Sequence, residues 1–129
     1  MLLSLDFLYV PSKDPDREIA YYTEVLGGTH LFRVKAMDTE VSAVRLSAEG
    51  PLVLLAEHLE GERPILIYRV EKLRAAMREL KKRGWQQGET LEIPHGPVCV
   101  FTAEGGQRLA IYELTRPKAT QFFLGRFDS

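Results

Sequence analysis

The chain is short of cysteine, of charge imbalance and of long apolar runs, and each shortage closes off a class of protein. With Cys99 as its single thiol, it has no internal disulfide framework and no cysteine-rich zinc site. Such usage is compatible with a reducing compartment. Lys and Arg number 17 against 18 Asp and Glu, a formal net charge of −1. No basic excess exists to hold nucleic acid or an anionic membrane surface. No apolar stretch approaches the roughly 20 residues that a membrane span needs. The N-terminus, MLLSLDFLYV, lacks a basic leader and meets Asp6 too early for a signal peptide, so a cytoplasmic protein is expected. What is present is ordinary for a globular chain. Its 129 residues, 45% hydrophobic and 27% charged, suit one domain over 1–129 with a real core.

The best-marked stretch is KDPDREIAYYTEVLGG, from Lys13 to Gly28. Asp14 is a good N-cap, since its carboxylate can accept the unpaired N–H groups of a first helical turn. Pro15 then occupies the first helical position, where its missing N–H costs nothing. Asp16 and Glu18 put negative charge near the positive end of the helix dipole. Ile19, Tyr22 and Leu26 recur at helical spacing and predict one buried face, with Val25 beside it. Gly27 or Gly28 can take the left-handed conformation that ends the helix.

Residues 2–10 read as a strand, with Leu3, Leu5, Phe7 and Tyr9 on one face and Ser4, Asp6, Leu8 and Val10 on the other. After the helix, THLFRVKAM and EVSAVRLSA predict a hairpin around MDTE, and LVLLAEH a further strand ending at His58. The second half repeats the order. PILIYRV predicts a strand. EKLRAAMRELKKRG predicts a helix that buries Leu73, Ala76, Met77 and Leu80 and stops at Gly84. Strand-like segments then continue to QRLAIYEL. Gly27 and Gly84 are 57 residues apart, and Glu57 and Glu113 are 56 apart. The agreement predicts an internal repeat, with modules at about 2–58 and 64–114. The extension 115–129 carries Phe122, Phe123 and Phe127, which need covering.

Tandem βαβββ units with this first helix resemble the vicinal oxygen chelate superfamily of glyoxalases, bleomycin-resistance proteins, fosfomycin-resistance enzymes and extradiol dioxygenases. The markers are Asp14-Pro15 through Tyr22 to Gly27, and the turn Glu104-Gly105-Gly106 before the last strand. The resemblance covers about residues 2–114. It implies an α+β fold in which the paired modules form curved mixed sheets around a cup, with the helices outside. Fold of this kind does not fix activity.

Metal-dependent members place His, Gln or Glu at four strand positions facing the cup. By resemblance the first falls on Asp6, or on Leu5 with a loop one residue shorter. The others fall on Leu54, Ile65 and Ala110. Leu, Ile and Ala offer no imidazole, carboxylate or thiolate to a metal. One carboxylate is not a metal site, so no metal and no cofactor is expected.

The same alternation lines the cup with Leu8, Val10, Leu54, Ala56, Ile67 and Tyr112, and adds Asp6, His58 and Arg69 as polar anchors. An apolar wall with a few polar groups is the usual make-up of a small-molecule pocket. The same residues would equally serve as interior filling or a dimer contact. Elsewhere, His58, His95, Glu57 and Glu113 stand at strand ends, without the tight spacing of a ligand pair on one helix face. Cys99 in its apolar strand reads as a structural thiol, and Trp85 as core. Three functions follow as expectations. The first is a metal-independent small-molecule-binding protein of the glyoxalase/bleomycin-resistance type. The second is a metal-dependent lyase, isomerase or dioxygenase. The third is an interaction module with a plugged cup. A homodimer is expected, because half-open sheets leave edges to cover.

Overall fold

The computed structural model describes residues 1–36, 39–57 and 61–128. The elements run β1 (Ser4–Pro11), α1 (Pro15–Ala20), β2 (Thr29–Ala36), β3 (Thr39–Arg45) and β4 (Leu52–Ala56). The same order follows in β5 (Ile65–Val70), α2 (Leu73–Lys82), β6 (Glu89–Ile93), β7 (Gly96–Thr102) and β8 (Arg108–Glu113). A short α3 (Ala119–Phe123) lies in the extension. Each half is therefore strand, helix and three strands. His58, and the first two residues of the MDTE turn, lie outside the described residues.

All eight strands form one mixed sheet in the order β2-β3-β4-β1-β5-β8-β7-β6. The order is symmetric about its centre. β1 and β5 pair antiparallel, and each then pairs parallel with the last strand of its own half, β4 and β8. Although β2 and β6 are the two outermost strands, Phe32 and Val34 line a cavity together with Leu91 and Ile93. The sheet is thus curled until its ends approach, in keeping with the twist that L-residues impose on every strand.

Side-chain alternation divides the core into an inner cluster and two outer ones. Inside the curl, Phe7, Phe32, Leu54, Ile67, Val98 and Tyr112 pack together from strands of both halves. Outside, Ile19 of α1 packs on Val44, Val53 and Leu55, with Leu8, Val10 and Tyr22 beside it. Likewise Leu73 and Ala76 of α2 pack on Val70, Cys99 and Ile111, joined by Met77, Leu80 and Trp85. Trp85 meets Phe101 edge-on at 5.2 Å, so its role is core. Cys99 is fully buried there, and burial pushes its thiol pKa up, which keeps it inert. No helix among the described residues is long and apolar enough to cross a membrane.

The first helix starts as its sequence predicts, with the Asp14 side chain accepting the Arg17 N–H at 3.3 Å. It ends differently. From Tyr21 to Val25 the backbone adopts the wider π-helical turn, and the Leu26 N–H bonds five residues back to the Tyr21 carbonyl. A π turn advances by a smaller angle per residue than an α turn. The apolar stripe therefore rotates off the sheet, and Val25 and Leu26 stand exposed at 66% and 50%. Gly27, at φ +78°, makes the stop.

Candidate functional site

β1 carries the site, and its register is not the simple alternation that the sequence suggests. The pairing of β1 with β5 slips between Leu5 and Phe7. An extra residue at such a bulge reverses which side the preceding side chain takes. Asp6 consequently turns to the same side as its neighbour Phe7. Phe7 and Tyr9 belong to the inner cluster, whereas Leu8 and Val10 lie beneath α1. The expectation that Leu8 and Val10 line the cup is corrected by this slip. Leu54, Ile67 and Tyr112 are in the inner cluster, and Ala56, fully buried, shares the parity of Leu54.

Asp6, Arg69 and Tyr112 meet one another. The Tyr112 hydroxyl donates to Asp6 Oδ2 at 2.5 Å, the Ser4 hydroxyl donates to Oδ1 at 2.6 Å, and Arg69 Nε lies 3.8 Å from Oδ2. Burial and the adjoining carboxylate hold the Tyr112 phenol well above its ordinary pKa. This cluster ties the start of β1 to the ends of β5 and β8, and none of its three members lines either of the cavities described next.

Two cavities share the inside of the curl. The larger, about 520 Å³, runs along the second half between Tyr9, Ile67, Val98 and Ala110, with Gln86, Gln87, Glu89, Thr102 and Arg108 supplying polar groups. The smaller, about 360 Å³, lies towards the first half between Phe7, Phe32, Leu54, His95 and Phe123. Tyr9, Leu91 and Ile93 line both, so they are two lobes of one cup. Both volumes fall in the range of small-molecule pockets, about 300–1,000 Å³. Burial alone raises the Tyr9 phenol to about 12, so this shared wall is uncharged at neutral pH.

Several of these residues carry no sign of their role in the sequence. Phe7 and Tyr9 read as the helix-facing side until the bulge is known. His95 reads as a surface or capping residue, yet it is 8% exposed, stacks against Phe7 at a centroid distance of 4.8 Å, and shares a 2.7 Å hydrogen bond with Thr120. Its burial pushes the imidazole pKa down. Phe123 arrives from the extension, which runs along β2. There the Gly125 N–H bonds to the Leu31 carbonyl, the Arg33 N–H to the Arg126 carbonyl, and the Asp128 N–H to the Arg33 carbonyl. The extension thus covers the outer edge of β2 and delivers one wall of the smaller lobe.

The four positions implied for a metal do not fit one. Leu54, Ile65 and Ala110 are buried inside the curl without a donor atom among their side chains, and Asp6 is already bonded to Ser4 and Tyr112. Among the described residues, no group of three or more His, Cys, Asp or Glu stands close enough to hold a metal ion. Glu113 has another employment. Its carboxylate accepts the Leu73 N–H at 2.9 Å and caps α2, whose own cap residue, Lys72, makes no side-chain bond.

Curled mixed sheet, paired βαβββ halves and outer helices are the cupped arrangement of the vicinal oxygen chelate fold. The methylmalonyl-CoA epimerase from Mycobacterium tuberculosis superposes with a TM-score of 0.75 at 17% identity, over 92% of each chain. A hypothetical protein from Bacillus halodurans C-125 gives 0.74 at 15% identity, over 85% of this chain and 93% of that one. A variant of Streptomyces coelicolor methylmalonyl-CoA epimerase, in complex with 2-nitronate-propionyl-CoA, gives 0.73 at 11% identity, over 90% and 97%. No family model matches the sequence, and no curated protein matches it. At these identities the likeness is one of fold.

Proposed function

We propose that this protein binds an apolar or amphipathic small molecule in its cup without a metal. The observation that carries the reading is the pair of joined lobes, about 520 and 360 Å³, walled by aliphatic and aromatic side chains where metal-dependent members present ligands. Such walls gain roughly 25 cal/mol for each Å² of apolar ligand surface they take from water. Gln86, Gln87, Glu89, Thr102 and Arg108 at the larger lobe supply the few polar groups that orient a ligand. Asp6, Arg69 and Tyr112 act in this reading through the wall, by fixing β1 against β5 and β8. His58, expected as an anchor, lies outside the described residues.

The working form in this proposal is a homodimer without nucleic acid or membrane as partner. Support comes from the edge strand β6, exposed from Glu89 to Glu92, and from the apolar side chains of Tyr21, Val25 and Leu26 standing in water.

The test is elemental analysis of the purified chain together with a titration of cis-parinaric acid, an amphipathic fluorescent probe. The expected result is substoichiometric metal, an unfolding midpoint unchanged by EDTA, and saturable binding of one parinarate per cup. Tightly bound Zn, Ni, Mn or Fe at one per chain would overturn it in favour of a metal-dependent lyase, isomerase or dioxygenase.

A further inference from the structure

The smaller lobe differs in kind from the larger. Its lining includes five aromatic rings brought from four places: Phe7 and Tyr9 of β1, Phe32 of β2, His95 of the β6–β7 turn and Phe123 of α3. Four of them stand in pairs. Phe7 and His95 are 4.8 Å apart and tilted by 49°, and Phe32 and Phe123 are 5.5 Å apart and tilted by 43°. Tilted rings of this kind present both faces and edges to the space between them, which is how aromatic groups prefer to meet a further ring.

Charge is kept out of the lobe. Among the described residues of its lining, Glu92 is the only one with a carboxylate, and that group is held at the exposed surface by Arg116 at 2.7 Å. His95 is tied by one ring nitrogen to Thr120 and is uncharged at neutral pH, because burial disfavours its cation. Among the described residues of the lining, a charged guest would meet only the Glu92 carboxylate, already paired with Arg116, and burying an unpaired charge is strongly unfavourable. Size narrows the guest further. A dry cavity of about 150 Å³ accepts benzene, and this lobe encloses about 360 Å³. The space suits two or three fused or linked rings. A flexible chain of the same volume would lose rotamer freedom on entering, and a rigid flat guest would not.

We infer that the smaller lobe is a site for a neutral, planar aromatic compound of two or three rings, or for that part of a larger ligand whose polar end extends into the larger lobe. The inference rests on the cup being a small-molecule site, and adds the chemical class and the place. Phe123 makes the extension part of the site. Its removal takes away one ring of the wall.

The probe is N-phenyl-1-naphthylamine, a neutral aromatic that brightens on leaving water, titrated into the full chain beside 2-naphthoate and cis-parinaric acid. We expect saturable binding of N-phenyl-1-naphthylamine, at least tenfold tighter than 2-naphthoate. Phe123→Ala should weaken it severalfold and Val34→Trp, which fills the lobe, at least tenfold. Arg83→Ala, at an exposed position just past the end of α2 and outside both lobes, should leave it within about twofold, with each variant's fold checked by circular dichroism. Should Val34→Trp fail to fold, methyl NMR of the unaltered chain decides, since the probe must shift the Leu54 and Val41 methyl signals. Equal binding of the anion, or binding that leaves those methyl groups unmoved, would overturn the inference. Parinarate binding with no binding of the neutral aromatic would overturn it and leave the proposed function standing. Absence of binding by all three probes would remove both.

Discussion

The Tyr112 hydroxyl donates a 2.5 Å hydrogen bond to the carboxylate of Asp6, joining two residues 106 positions apart in the chain. Tyr112 is 1% exposed, so the phenol has no water to turn to if the carboxylate is lost. The carboxylate in turn sits where the bulge in β1 places it, between Ser4 and Arg69. The pair therefore fixes the first strand against the last at the point where the register slips.

Replacing Tyr112 with Phe keeps the ring and removes only the hydroxyl. A hydrogen bond to a charged, partly buried group contributes about 1–3 kcal/mol, so Tyr112→Phe should lower the urea unfolding free energy by about that amount. Since neither residue lines the two lobes, parinarate affinity should change little. An unchanged unfolding midpoint would show that the bond contributes nothing net.

Glu113 caps a helix that begins 40 residues earlier in the chain. Lost N-caps cost roughly 0.5–2 kcal/mol, so Glu113→Ala should destabilise the protein by about 1 kcal/mol. Glu113→Gln retains a carbonyl acceptor and should recover part of the loss. The salt link to Lys72, at 4.0 Å with the lysine 73% exposed, adds little. If the Gln variant were as unstable as the Ala variant, the backbone cap would not be the source of the effect.

The pH dependence of stability should carry the mark of His95. Its folded pKa is lowered by burial, so between that value and the ordinary 6.5 the unfolded chain binds more protons than the folded one. Stability is therefore flat above about pH 6.5 and falls as pH drops through this window. His30, whose pKa is lowered by burial and by Arg33, acts in the same direction. Thermal unfolding at about pH 7.5 and pH 5.5 should show a fall in midpoint that shrinks in His95→Gln. Equal falls in the two proteins would assign the dependence to other groups.

Much of the fold is legible in the chain itself because it rests on local chemistry. Asp14 and Pro15 start the first helix, Gly27 and Gly84 end the two helices at positive φ, and the apolar spacing of Leu73, Ala76 and Leu80 selects the buried face of α2. The near-equal spacing of these signals gives the repeat, and the repeat gives the symmetric sheet order. Leu54 and Ile67 fall on the inner face of the curl by alternation, because β4 and β5 keep an unbroken period of two through them.

What alternation fails to place is whatever depends on a break in it. One bulged residue in β1 reverses Leu8 and Val10 against Phe7 and Tyr9, and one π turn removes Leu26 from the core. Neither break has a residue that announces it. The aromatic lobe was equally hidden, since Phe32, His95 and Phe123 are far apart in sequence and meet only when the sheet curls and the extension crosses to β2. By itself the sequence determined a twofold βαβββ chain with two glycine-terminated helices and no metal donors at Leu54, Ile65 and Ala110. Only the tertiary structure decided which side chains face the cup. Local periodicity sets an alternation, but long-range pairing sets the register that says which half of it points inward.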